Sequence, residues 1–413
     1  MWKKIAANTF YQLVGKGFTI VSTVFTVALI TRSLGVSQFG EYVLVTTVPT
    51  FLYLFGDFGL NAIFLRQIAQ DNNHVRKFGN LFTLRTALAF VTFLLGVLYV
   101  FLFPHSQTVR LGILLALTTV FAQGVYTSLN ALFQHELRYD LSVAAGVVSS
   151  VFAVLAVAYG FWQHQGLLFF VAVWTATTFL LALFALVFSL RLPEKPQFSW
   201  DWAWIKTFFV ASIPLGLMLI FSQINWTSDV FLLSALSTST AVGIYRLGYK
   251  VFENIIPIPI FFVNALYPVM LQDQRLSFEA LWQRLKKSLG ALLLSAVVLT
   301  VLSFVFAPLA ISVLGGEGFE ASTLVLKILV FSFPIFFVTA PLQWFLITVG
   351  KEKILVWIYG FAAFSNVLIN LIFIPRFSYF ASIFATIFSE VLILILLVWQ
   401  VVVFKKRVTV QSK

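Results

Sequence analysis

Cysteine is absent from all 413 residues, which excludes disulfides and thiol chemistry while leaving the redox compartment open. Charge is scarce too: 10% of residues are Asp, Glu, Lys or Arg, against about 25% in an ordinary soluble domain. No G-x-x-x-x-G-K-[ST] occurs, which argues against an ATP-driven pump acting alone. His74, His105, His135 and His164 fall in separate loops, and His135-Glu136 lacks the second His of H-E-x-x-H, which argues against a metalloprotease. No catalytic residue, metal ligand or cofactor site is therefore assigned. The outer loops are too short for the domain that a membrane glycosyltransferase or ligase needs.

Apolar side chains fill the space that charge vacates. Sixty per cent of the residues are hydrophobic and the mean hydropathy is +0.97, the profile of a polytopic membrane protein. The apolar runs are long enough to cross about 30 Å of hydrocarbon, and they are continuous, so helices are expected and not a barrel. The first run, Ile5 to Thr31, follows Lys3 and Lys4 but is too long for a signal peptide and has no small-residue cleavage site.

Gly, Pro and charged breaks divide the chain into about twelve predicted spans: 5–31, 41–65, 79–103, 110–133, 141–162, 166–190, 207–235, 242–270, 287–314, 322–349, 354–374 and 379–404. With the N-terminus inside, about 19 of the 27 Lys and Arg fall in cytoplasmic segments. The opposite loops hold Arg32, Arg110 and Arg376, and the spans hold Lys16, Arg85, Arg246, Lys250 and Lys327. This asymmetry predicts that both termini are cytoplasmic, and it accounts for the formal charge of +12 without a nucleic-acid partner.

The expected architecture is all-α, with two six-helix lobes at 1–190 and 207–413. They are joined by a cytoplasmic linker, 191–206, carrying Pro193, Pro196 and three tryptophans. Within 272–287, Leu281, Trp282 and Leu285 oppose Arg284, Lys286 and Lys287, the pattern of a short amphipathic helix on the cytoplasmic leaflet. Gly40-Glu41-Tyr42 opens the second span and Gly243-Ile244-Tyr245 the eighth, a faint echo that suits a parallel repeat with the substrate path between lobes.

Several stretches of the N-terminal third carry a resemblance. They are Thr31-Arg32-Ser33-Leu34-Gly35, Phe39-Gly40-Glu41-Tyr42, Asp57-Phe58-Gly59-Leu60, Leu65-Arg66-Gln67-Ile68-Ala69 and Leu84-Arg85. In this order and spacing the chain resembles the oligosaccharide flippase family of polysaccharide biosynthesis proteins, in the superfamily that includes the multidrug and toxin extrusion transporters. The resemblance covers about 75 residues; later spans agree in number and hydropathy only. It implies a flippase of a bacterial inner membrane that moves a lipid-linked oligosaccharide, usually on undecaprenyl diphosphate, to the outer leaflet by alternating access. Such a protein serves cell-surface polysaccharide such as O-antigen beside other assembly proteins, and it is not an enzyme. A cation-coupled multidrug exporter of the same superfamily is the alternative, followed by a membrane glycan polymerase or ligase.

Charged residues within the spans are the candidate functional groups, because a Lys or Arg at a helix centre costs about 3 kcal/mol and so avoids lipid. In Val242–Pro259, Arg246, Lys250, Glu253 and Pro257 share an arc of roughly 60° on one helical face. That face reads as a cavity wall, or as a Lys250–Glu253 ion pair with Arg246 reaching the surface. Lys16, Arg85, Arg246 and Lys250 are the expected contacts for diphosphate or an acidic sugar. Arg85 reads equally as an interfacial side chain, and Lys327 as one. Asp57, Asp229, Glu253 and Glu390 are the candidate coupling or gating carboxylates for a proton or sodium gradient, Glu390 being mid-span. Asp57 also suits a cap or turn. Pro49, Pro214, Pro257, Pro259, Pro334 and Pro341 are expected at kinks.

Overall fold

The computed structural model of the chain describes residues 2–68, 74–136, 138–192 and 198–411. Ala69 of the resemblance, Pro193, Lys195 and Pro196 of the linker, and Lys413 lie outside the described residues. Those described form helices and connecting turns, with no strand among them. In order the helices are α1 (Trp2–Asp57), α2 (Leu60–Ile68), α3 (His74–Leu102), α4 (Gln107–Leu117), α5 (Thr119–His135), α6 (Tyr139–Trp162) and α7 (Leu167–Ser189). They continue as α8 (Trp202–Leu236), α9 (Ser239–Ile255), α10 (Pro257–Leu276), α11 (Phe278–Leu314), α12 (Glu320–Leu329), α13 (Phe333–Thr348), α14 (Glu352–Phe377) and α15 (Tyr379–Gln411).

Among the described residues, 10 helical stretches are long and apolar enough to cross a membrane. The sequence reading placed about twelve, and the difference has two local causes. The first two expected spans meet within α1, which is two helices joined across a kink at Gly35, where the backbone takes φ 66°. The expected span 242–270 is divided instead, since Pro257 has no N–H to continue the ladder of α9 and opens α10. Two other spans carry interior breaks: α4 gives way to α5 at Thr118, and a single 3₁₀ turn, Val330–Ser332, separates α12 from α13.

Short side-chain caps start several of these helices. Ser106, Thr238 and Ser277 accept the amides of Val109, Ala241 and Ala280. Residues 272–287 fall across the last of these caps, with 272–276 ending α10 and 278–287 opening α11. There Leu281 and Leu285 are buried, Trp282 meets Phe345, and Arg284 donates to Asp273 at 2.8 Å.

The chain separates into two compact units, Met1–Ile220 and Phe221–Lys413. The first has a core of Leu60, Phe64, Phe78, Leu81, Leu129, Phe133 and Phe208, which ties α2, α3 and α5 to the start of α8. The second is centred on aromatic rings, with Phe252 stacked on Phe333 at 5.2 Å and Trp226 and Phe336 beside them. Apolar side chains also cover the outside. Leu294, Val298, Val301, Val305 and Leu309 form an exposed stripe along α11, which is stable only against lipid. The protein is thus a multi-pass membrane protein.

Candidate functional site

Three of the four residues expected on one face, Arg246, Lys250 and Glu253, come together on α9, while Pro257 opens α10 instead. Glu253 lies one turn beyond Lys250 and two beyond Arg246, and its carboxylate takes both cations. Lys250 Nζ donates to Oε1 at 2.6 Å, and Arg246 Nη2 pairs with Oε2 at 2.9 Å. Arg246 also lies over the Tyr249 ring, 5.1 Å from its centroid. One anion among two cations leaves the group with a net positive charge. Its side chains remain reachable, 21% exposed for Arg246 and Glu253 and 33% for Lys250. The opposite side of α9 is closed. Gly248 lets α12 approach so nearly that an added Cβ would lie 2.8 Å from the Ser322 carbonyl oxygen, and Ser322 Oγ donates to the Ile244 carbonyl.

Asp229, on α8, is buried among neutral donors. Tyr245 of α9 donates to Oδ2, Asn370 of α14 to Oδ1 at 2.7 Å, and Thr386 of α15 to Oδ2 at 3.3 Å. Asn366 links this group to Ser228, while Ser382 donates to Asn370. Glu390 follows Thr386 by one turn of α15 and is 6% exposed, with Thr339 Oγ1 donating to it at 2.7 Å. Neither carboxylate forms an ion pair among the described residues. A buried carboxylate held only by neutral groups can take up a cation or a proton without breaking a salt bridge.

In the N-terminal unit the sequence-selected residues meet differently. Arg85 is 1% exposed and donates from Nη2 to Asp57 at 2.8 Å and to Asn61 at 2.9 Å, and from Nη1 to Ser128 at 2.9 Å. Asp57 ends α1, where Phe58 (φ 45°) and Gly59 (φ 68°) turn the chain into α2. An added Cβ on Gly216 of α8 would reach the Phe58 ring at 2.5 Å, so the turn is packed as well as bonded. Arg85 and Asp57 therefore come together at a backbone break. Lys16 is exposed on α1, and Lys327 lies over the Phe304 ring, 4.9 Å from its centroid.

Asn366, Asn370 and Thr386 escaped the sequence reading, and Tyr245 entered it only within the repeat echo. Their signal was spacing. Asn366 and Asn370 repeat at i, i+4 in an otherwise apolar span, and Ser382, Thr386 and Ser389 do so at i, i+4 and i+7 in the next.

The long apolar helices with buried polar knots make an all-helical membrane fold, and solved structures share it. The lipid II flippase MurJ in an inward closed conformation matches with TM-score 0.76 and 13% identity over 94% of this chain and 87% of that one. An inward-facing multidrug resistance MATE family transporter of the MOP superfamily matches at 0.74 and 13%, over 94% and 95%. A MOP superfamily transporter from Pyrococcus furiosus, described as having a binding pocket of reversed polarity, matches at 0.66 and 12%, over 98% and 96%. No curated protein sequence matches the chain. The family model for polysaccharide biosynthesis proteins matches residues 4–274, and the chain belongs to that family.

Proposed function

We propose that this protein is a flippase that carries an undecaprenyl-diphosphate-linked oligosaccharide from the cytoplasmic to the outer leaflet of a bacterial inner membrane. Both termini are cytoplasmic in this reading, twelve spans are crossed, and the work is transport without bond-making chemistry. The observation that carries it is the α9 face, where Arg246 and Lys250 share one carboxylate and stay accessible. A diphosphate offers charge-assisted acceptors to both cations and can displace Glu253 from them. Lys16 adds to the positive field. Arg85, with both terminal nitrogens engaged, acts as a positioning residue for the α1–α2 turn. Asp229 and Glu390 are the coupling carboxylates, their occupancy by a proton or sodium differing between conformations.

The test is translocation by the full chain in proteoliposomes. A fluorescent polyprenyl-diphosphate oligosaccharide should become accessible to a membrane-impermeant quencher, about tenfold more slowly for Lys250→Ala at equal protein content, the loss expected from one charge-assisted bond. Absence of translocation under proton and sodium gradients alike overturns the reading. Lengthened or transferred glycan without translocation would make the protein a polymerase or ligase. A second reading, export of cationic drugs, is favoured by the unpaired Asp229 and Glu390; ethidium efflux that neutral lipid-linked glycan does not inhibit would establish it.

A further inference from the structure

The N-terminal unit contains a cavity that neither the α9 face nor the buried carboxylates account for. It has a volume of ≈ 90 Å³ between α1, α5 and α7. No charged side chain lines it. Thr50 and Thr178 spend the hydroxyl proton on a carbonyl of their own helix, at 2.7 and 3.0 Å, and Thr119 spends it on the Ala116 carbonyl at the end of α4, at 2.6 Å, so all three offer lone pairs alone. Tyr53 donates weakly, at 3.3 Å, to the Gln123 carbonyl. The Gln123 amide and the Trp174 indole N–H line the same space and form no hydrogen bond among the described residues. The walls thus present acceptors, two unspent donor groups and an indole face, all uncharged.

Packing around Trp174 is loose as well. A second cavity of ≈ 80 Å³, lined mainly by apolar residues and by Tyr42, shares Trp174 as a wall. Both spaces open to the outside, and the half-buried Trp174 ring borders the two of them. The helices are also interrupted here. Pro49 cannot donate to the Val45 carbonyl, and the α4–α5 break at Thr118 adjoins Thr119.

We infer that this cavity is a subsite for one uncharged pyranose ring, the hydroxyls meeting the threonine oxygens and Gln123 and an apolar sugar face lying on Trp174. Roughly 90 Å³ holds several waters' worth of ligand but falls well short of the 300–1,000 Å³ of a drug-sized site, so one ring enters and the rest of a glycan stays outside. The absence of a lining carboxylate disfavours a cation. The inference rests on the proposed function only for the source of the sugar.

Saturation-transfer NMR on the full chain in nanodiscs tests it without any lipid carrier, with methyl glucoside, methyl galactoside and N-acetylglucosamine as probes. Transfer is expected to at least one of them. It should weaken about tenfold in Gln123→Leu, what the loss of one hydrogen bond of about 1.4 kcal/mol produces. Transfer should vanish in Trp174→Leu and persist in Trp174→Phe. If Trp174→Leu does not yield monodisperse protein, Gln123→Leu decides alone. No transfer to any probe, transfer insensitive to these substitutions, or displacement of the sugar by ethidium overturns the inference. Lipid-linked glycan translocation with none of the sugar signals leaves the flippase reading standing and this one refuted; the reverse pattern refutes the flippase reading alone.

Discussion

Separating Arg85 from Asp57 tests whether the pair fixes the α1–α2 turn or serves the substrate. Arg85 is 1% exposed and Asp57 24% exposed, so the two single replacements strand unlike charges. Removing one partner of a buried pair costs about 3–5 kcal/mol. Arg85→Met leaves Asp57 partly hydrated. Ser128 keeps its bond to the Gly124 carbonyl, and the Asn61 amide keeps Thr127, which puts this variant near about 3 kcal/mol. Asp57→Leu strands a guanidinium with no route to water and belongs near about 5 kcal/mol. A unit of 150–250 residues loses about 2–4 °C of Tm per kcal/mol, so the melts should drop by about 6–12 °C and about 10–20 °C. The double variant, Arg85→Met with Asp57→Leu, buries no unpaired charge and should melt above Asp57→Leu alone. Intrinsic fluorescence of the 11 tryptophans in detergent-purified protein reads all of these. Additive losses in the double variant would refute the coupling. Unchanged melts with lost translocation would return Arg85 to the substrate.

Three other expectations follow from named contacts. Asp229→Asn and Glu390→Gln keep shape and hydrogen bonding while removing a buried charge, so Tm should hold or rise as translocation loses its dependence on the proton or sodium gradient; retained dependence in both variants would exclude them from coupling. Gly248→Ala forces α9 and α12 apart by placing a Cβ against a backbone oxygen and a Val325 methyl, and it should cost about 1–3 kcal/mol, read as a lower Tm. His105 lies between α3 and α4, and burial, with help from the Arg110 cation, lowers its pKa below the ordinary imidazole value. It contributes stability above its unfolded pKa of about 6.5 that is lost as pH falls through the lowered folded value, so His105→Gln should flatten the acid side of a Tm–pH profile.

The sequence carried what is local. Apolar runs located the spans, Gly35 and Pro257 marked breaks that the structure contains, and the i, i+4, i+7 spacing put Arg246, Lys250 and Glu253 on one face. The breaks were local, but what the chain does after each of them was not. Nothing in the residues beside Gly35 says that one helix meets the next directly across a kink there, whereas after Ile255 the chain restarts as a separate helix at Pro257. Partners distant in the chain were out of reach for the same reason. Asp57 and Arg85 are 28 residues apart, and Asp229 finds Asn370 141 residues away and Thr386 157 away. Each looked, in sequence, like an isolated intramembrane charge.

Their surroundings differ between the two units. In the first, the buried cation Arg85 is matched by Asp57, and opening that pair to bind or release an ion would strand a guanidinium. In the second, Asp229 and Glu390 are held by hydroxyls and amides that can reorient around a bound cation or proton at the cost of a hydrogen bond or two. Under the proposed function, a gradient would therefore do work on the second unit far more cheaply than on the first. The accessible cations Arg246 and Lys250 stand on the same helix as Tyr245, the donor to Asp229. Under the proposed function, a change of charge at Asp229 would reach Arg246 and Lys250 through Tyr245 and the backbone of α9, giving substrate release and ion binding a common lever.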